Sequence, residues 1–190
     1  ITVESKAMGD DIRVVVVTDF EKTSATALVE GVLDDEAGGA IAVFRALVSH
    51  PAGDTLDPVL MTGSTVLVDD ELIDRFIARA EEWARSRDLE IEFIDIIHDG
   101  YHEIRGKGKN WIPRYYSLMI TEFFQEGLTR CIVGTRGLLG EGWDASRINV
   151  LIDMTTVTTS MSINQLRGRS IRLDSMWPEK VANNWDIICL

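Results

Sequence analysis

The chain has 190 residues, 19 Lys and Arg against 31 Asp and Glu, a net charge of −12, and 45% hydrophobic residues. A chain of this length buries about 70% of its unfolded surface, so one ordinary core suffices and a single domain spanning 1–190 is expected. The longest apolar run is five residues, Ala40 to Phe44, which excludes a membrane-spanning helix and with it a membrane partner. No secretory leader pattern is visible, and Cys131 and Cys189 lie in apolar stretches, which reads as buried thiols in a reducing, cytoplasmic setting. Two cysteines and three histidines (50, 98, 102) at these spacings predict no metal site.

The negative charge argues against a partner rich in phosphate, because such partners are held largely by neutralising cations. That charge is unevenly spread. Residues 1–100 carry 8 basic and 22 acidic side chains, whereas residues 101–190 carry 11 and 9. An anion-handling site is therefore expected in the second half. The final WDIICL reads as an unfinished strand, and the start at Ile1 lacks Met, so the expectation is a piece of a longer chain.

Along the chain, periodicity alternates between strand and helix, which predicts an α/β sheet flanked by helices. Ile12 to Thr18 is a β-branched run of the kind buried on both faces. Residues 39–49 place Ile41, Phe44, Leu47 and Val48 at helical spacing. A Pro/Gly/Asp loop (50–58) leads to a short strand at Val59–Met61. Asp69 and Asp70 are plausible caps for a helix burying Ile73, Phe76, Ile77, Ala80, Trp83 and Ala84. A strand at Ile91–Ile97 and a polar, Gly-rich loop over 99–110 follow. The next helix has Pro113 in its first turn, Gly127 past its end, and an apolar face of Tyr116, Met119, Ile120 and Phe123. Strands at 130–133 and 149–153, a short helix over 161–167 and a last strand over 185–190 complete the reading. There is no internal repeat.

Two segments carry the chemistry. CIVGTRGLLGEGWDAS (131–146) is a strand followed by a turn with Gly134, Gly137, Gly140 and Gly142, a density of glycine that lets backbone approach a ligand such as phosphate. QLRGRSIR (165–172) has Gln165, Arg169 and Arg172 in the pattern Q-x-x-G-R-x-x-R. In this order, with a strand between, the pair resembles motifs V and VI of the second RecA-like lobe of superfamily-2 helicases. The helix 113–127 is similar to the helix preceding motif V, and VVVVTDFEK (14–22) to motif IV. The resemblance covers 12–173 in outline and 114–173 closely.

It implies a RecA-like three-layer fold with a mainly parallel sheet, acting beside an N-terminal RecA-like lobe of the same chain. It implies that Arg169 and Arg172 are arginine fingers for ATP bound between the lobes, a role suited to a planar, permanently charged guanidinium. Gly142, Asp144 and Gln165 would bind or couple ATP, and Thr135, Arg136 and Phe20 would contact the nucleic-acid backbone. Mg²⁺ would be held by the other lobe. The version Glu141-Gly142-Trp143-Asp144 resembles restriction-enzyme-type translocases more than DEAD-box RNA helicases, so DNA is the expected nucleic acid. A helix and strand are expected as an insertion within 51–98.

No phosphate-binding loop is present. Gly100…Gly106-Lys107 has five residues between its glycines rather than four, and Gly108 stands where Ser or Thr is needed. No acid box is present either, because Asp69-Asp70-Glu71 reads as a helix N-terminus. This stretch alone is therefore not expected to hydrolyse ATP. Arg105, Lys107, Lys109 and Arg114 form the most basic local run, a candidate phosphate track or a solvated loop flanked by His98 and His102. Arg169 and Arg172 could instead be surface arginines paired with Asp174 and Glu179. The glycines could serve only a tight turn, Trp143 could pack or stack on a base, and Phe20 and Glu21 could merely end a strand. Trp83, Trp111 and Trp185 read as packing residues. The rival function is a non-enzymatic RecA-like scaffold or regulatory nucleic-acid-binding module.

Overall fold

Four consecutive valines, 14 to 17, form the centre of the sheet, and their side chains alternate between two separate apolar cores. Val14 and Val16 join Phe44, Leu60, Cys131 and Val133 on one face. Val15 and Val17 join Val59, Met61, Ile132 and the helix residues Phe76, Trp83, Met119 and Phe123 on the other. This double burial explains the unbroken β-branched run and makes the architecture three-layered. The computed structural model describes residues 1–21, 39–140, 143–156, 167–172, 174–175 and 177–187.

The strands are β1 (Val14–Thr18), β2 (Pro58–Met61), β3 (Val66–Asp69), β4 (Glu92–Ile97), β5 (Tyr101–Lys107), β6 (Cys131–Thr135), β7 (Val150–Asp153) and β8 (Asn183–Asp186). The helices are α1 (Thr2–Met8), α2 (Ala40–Val48), α3 (Pro51–Asp54), α4 (Ile73–Ser86), α5 (Pro113–Glu126) and α6 (Arg136–Leu139), with a further turn of helix at 167–170. One sheet runs in the order β4-β5-β3-β2-β6-β1-β7-β8. The pairings β2–β6, β6–β1, β1–β7 and β7–β8 are parallel, and those of β3, β4 and β5 antiparallel. The protein is an α/β fold with a mostly parallel sheet, consistent with a RecA-like architecture. Among the described residues no helix is long and apolar enough to cross a membrane.

Helix α2 covers the first core through Ala40, Ile41 and Phe44, and α4 and α5 cover the second. Phe76 and Phe123 meet edge to face at 5.5 Å and 85°, a geometry worth about 0.5–1.5 kcal/mol beyond its buried area. The end of α5 is closed from several sides. Gly127 adopts φ 89°, Arg13 donates Nε to the Phe124 carbonyl at 3.0 Å, and Arg147 donates Nη1 to the Gln125 carbonyl at 2.8 Å. Two guanidinium groups thus satisfy carbonyls that the helix leaves open and suit its negative end.

The structure corrects several expectations. Residues 101–107 are not part of a loop but strand β5, hairpin partner of β4. The 50–58 segment contains the short helix α3, whose first turn His50 caps by accepting from the Ala52 N–H at 3.1 Å. Asp69 and Asp70 do not cap α4: Asp69 ends β3 fully buried, and α4 starts after Leu72 with no side-chain cap. Strand β3 and helix α1 were not foreseen. The strand expected over 185–190 starts earlier, as β8 at Asn183–Asp186, with 188–190 outside the described residues. Of the helix expected over 161–167, only Arg167 is described, and it opens the helical turn at 167–170.

Candidate functional site

Strands β1, β2, β6 and β7 run in one direction, so their carboxyl ends share one edge, the edge where open α/β sheets bind ligands. Thr18 and Thr135 are register partners at the ends of β1 and β6. Phe20, 57% exposed, lies beyond them, and its carbonyl accepts from the Thr18 hydroxyl at 2.9 Å. Thr135 is the N-cap residue of α6 but makes no side-chain cap bond, and Arg136 begins that helix.

The same edge carries hydroxyl groups that sequence reasoning missed. Glu21 accepts from the hydroxyls of Thr62, of Ser64 at 2.6 Å and of Thr65 at 2.7 Å, all in the β2–β3 turn. Across the edge, Asp19 accepts from the Thr156 N–H and hydroxyl, each at 2.7 Å. The readable signal was Thr62-Gly63-Ser64-Thr65, three hydroxyls and a glycine directly after a buried strand.

The segment after β6 and the helical turn at 167–170 meet. Arg172 forms an ion pair with Asp144, and Arg169 donates Nη2 to the Gly140 carbonyl. Among the described residues the ion pair seen for Arg172 is with Asp144, and none is seen with Asp174 or Glu179. Burial, reinforced by the charge of Arg172 and opposed by that of Asp144, lowers the Arg169 pKa. The Arg169 Nε is buried with no hydrogen-bond partner among the described residues. Side-chain exposure at the Arg172–Asp144 pair is 48% and 66%. Gly142 and Gln165 lie outside the described residues.

The glycines divide by role. A Cβ at Gly134 would sit 2.7 Å from the Leu139 side chain and 2.9 Å from the Met61 carbonyl oxygen, and one at Gly140 would sit 2.3 Å from the Arg136 carbonyl oxygen. These two serve the tight strand-to-helix turn. Among the described residues a Cβ at Gly137 or Gly168 would meet nothing within 4 Å, so their packing does not require glycine there. Trp143 is a packing residue, 8% exposed, donating Nε1 to the Thr121 hydroxyl at 2.7 Å.

The basic run is divided. Arg105 and Lys107 lie on β5, and β3 and β2 separate that strand from β6. These two and Lys109 each have a carboxylate beside them: Arg105 with Glu103 at 2.6 Å, Lys107 with Glu92 at 3.2 Å and Lys109 with Glu90 at 3.9 Å. Arg114 instead lines a surface hollow with Leu138, Trp143 and Asp144. The hairpin supplies acids that a reading of 105–114 alone could not see. His102 is likewise no loop residue; it lies on β5 and bonds Asp95 at 2.7 Å. Trp83 is fully buried and donates to Glu122 at 2.8 Å. Trp111 packs edge-on against Phe93. Trp185 is half exposed and donates to Glu4 at 2.8 Å. Burial pushes the Cys131 thiol up to about 12, so it is an inert core residue. Among the described residues no group of three or more His, Cys, Asp or Glu could hold a metal ion. Compared with family models, with curated proteins and with solved structures, the chain finds no match.

Proposed function

We propose that this chain is the second motor lobe of a cytoplasmic, ATP-dependent superfamily-2 nucleic-acid helicase or translocase acting on DNA. The observation that carries the reading is the convergence of Arg169 and Arg172 on Asp144 and Gly140, across almost thirty residues of chain. Arginines at a domain surface, one partly buried and one held by a single exposed acid, suit a γ-phosphate presented by a facing lobe. An exposed ion pair contributes only about 0–1 kcal/mol, so a phosphate could take the place of Asp144 as partner of Arg172. Gly137 and Gly168, which packing does not explain, leave backbone open to close approach. The hydroxyls and backbone of the carboxyl edge, Thr135 among them, could hold a strand by its phosphates without reading sequence.

The reading places Mg²⁺ with the phosphate-binding loop in the first lobe. This lobe's part is to bring guanidinium charge to the transferring phosphoryl group as the cleft closes, and to grip the strand. The test is Arg169→Ala in the full-length protein. Nucleic-acid-stimulated ATPase is expected to fall by about 10³–10⁵, the usual worth of an arginine finger, with the melting temperature retained. An undiminished rate would overturn the assignment.

The neutralised hairpin cations favour a second reading, a scaffold lobe that binds without hydrolysis. Full-length protein that shows no ATPase with DNA or RNA present would favour that reading instead.

A further inference from the structure

Two residues beyond each member of the Asp144–Arg172 pair stands a second, more sheltered contact. The Ser146 hydroxyl donates to Asp174 Oδ2 at 3.0 Å, and Asp174 is 7% exposed. The pairs Asp144–Arg172 and Ser146–Asp174 thus make two rungs, the outer one exposed and the inner one partly buried. Lys180 closes the arrangement by donating Nζ to the Ser146 carbonyl at 2.5 Å. The turn bringing it there is fixed by two backbone bonds, Trp177 N–H to the Asp174 carbonyl at 3.0 Å and Lys180 N–H to the Trp177 carbonyl at 3.2 Å. Arg147 stands 3.5 Å from the same Asp174 oxygen while donating to the end of α5. Ser146 also approaches Gln125 Oε1 at 3.3 Å. One buried carboxylate thereby links the Asp144 segment, the segment leaving Arg172 and the end of α5.

An exposed ion pair costs side-chain entropy to hold and does not fix geometry on its own. A buried, hydrogen-bonded carboxylate beside Arg147 does, because leaving any member unpaired is costly. We propose that Asp174, together with Lys180, is a positioning residue for ATP hydrolysis: through Ser146 it sets Asp144 and Arg172 in register, so that both fingers face the nucleotide. It touches neither nucleotide nor strand. This inference rests on the motor-lobe reading for its consequence, but its structural content stands apart from that reading.

The experiment uses the full-length protein with Asp174→Asn and Ser146→Ala, each measured for stimulated ATPase, melting temperature and amide hydrogen exchange. Asn keeps the shape of the acceptor and loses its charge; Ala at 146 removes the inner rung while leaving Asp174 its neighbours. In each variant kcat is expected to fall by at least about tenfold, a modest share of what misplaced catalytic groups lose, with KM for ATP within about twofold, as an interaction felt in the transition state requires. Exchange should accelerate at 143–148 and 167–172 and stay unchanged in α2, α4 and β1. A folded variant with wild-type kcat, or one with unchanged exchange at 143–148, overturns the proposal. If both variants unfold, the contact is a stability element and the proposal also fails. If Arg172→Ala leaves the wild-type ATPase untouched, the motor-lobe reading fails, and the exchange measurement still decides whether Asp174 holds the register.

Discussion

Asp69 shows how a single side chain ties the sheet to pH. It ends β3 without exposed surface, accepts one backbone N–H from Glu71 at 3.4 Å, and leaves Oδ2 with no hydrogen bond among the described residues. Burial first, then the neighbouring carboxyl of Asp70 and the charge of Asp54, raises its pKa to about 7. The folded state therefore holds a proton that the unfolded chain releases near the ordinary carboxylate value. Stability is fullest below that ordinary value and declines as pH rises toward 7, where Asp69 ionises in the fold as well. Asp69→Asn keeps an acceptor for Glu71 and removes the charge. It should raise the melting temperature at pH 8 and flatten its pH dependence between 5 and 8; a parallel downward shift at every pH would refute this account. The same residue marks a limit of sequence reading. An acid pair before an apolar helix has the pattern of a cap, and only the pairing of β3 between β2 and β5 shows it buried instead.

Among the elements, those with one dominant period were legible, and so was the edge strand β4, whereas β3 and β5 were not. Val14–Val17 and the face Tyr116, Met119, Ile120 and Phe123 announce a central strand and a helix, and the structure buries every one of them. In β5, Tyr101 packs edge-on against Phe44 on the α2 side, whereas Ile104 joins the core under α4 and α5. Both faces are covered, each by one apolar residue, so the strand shows neither clean alternation nor a continuous apolar run. Gly106 adds to the disguise. It resembles a loop glycine, yet a Cβ there would come 2.5 Å from the Trp111 ring. Gly106→Ala should destabilise the fold by about 1–3 kcal/mol, the usual cost of overpacking, with a change in Trp111 fluorescence; urea unfolding of the variant measures it. The candidate site was legible as motif residues but not as contacts. Gln165, Arg169 and Arg172 stand out by spacing, whereas the Ser146–Asp174 rung joins two residue types found on any surface.

At the scale of the molecule, the charge asymmetry takes a spatial form. Part of the acidic excess of the first hundred residues lies on the β4–β5 side, where Glu90, Glu92 and Asp95 stand beside Lys109, Lys107 and His102. Each neutralised phosphate contributes about 0.9 to the dependence of log affinity on log salt for duplex DNA. Replacing Lys107 and Lys109 together by Ala should therefore change that slope by less than about one, because these lysines already have anionic neighbours; a change near two would mean that they leave Glu92 and Glu90 for the nucleic acid. The strand order has a consequence for how the chain is made. Strand β1, near the amino end, finds its two partners at Cys131–Thr135 and Val150–Asp153. Chain synthesis completes β2, β3, β4 and β5 before β6, and all four can pair through the short β2–β3 and β4–β5 connections as they appear. The valine run has no strand to join until the ribosome has passed residue 135, and no partner on its other side until it has passed residue 153. Until then this β-prone segment is an unpaired apolar strand, the kind of segment that chaperones shield and aggregates recruit.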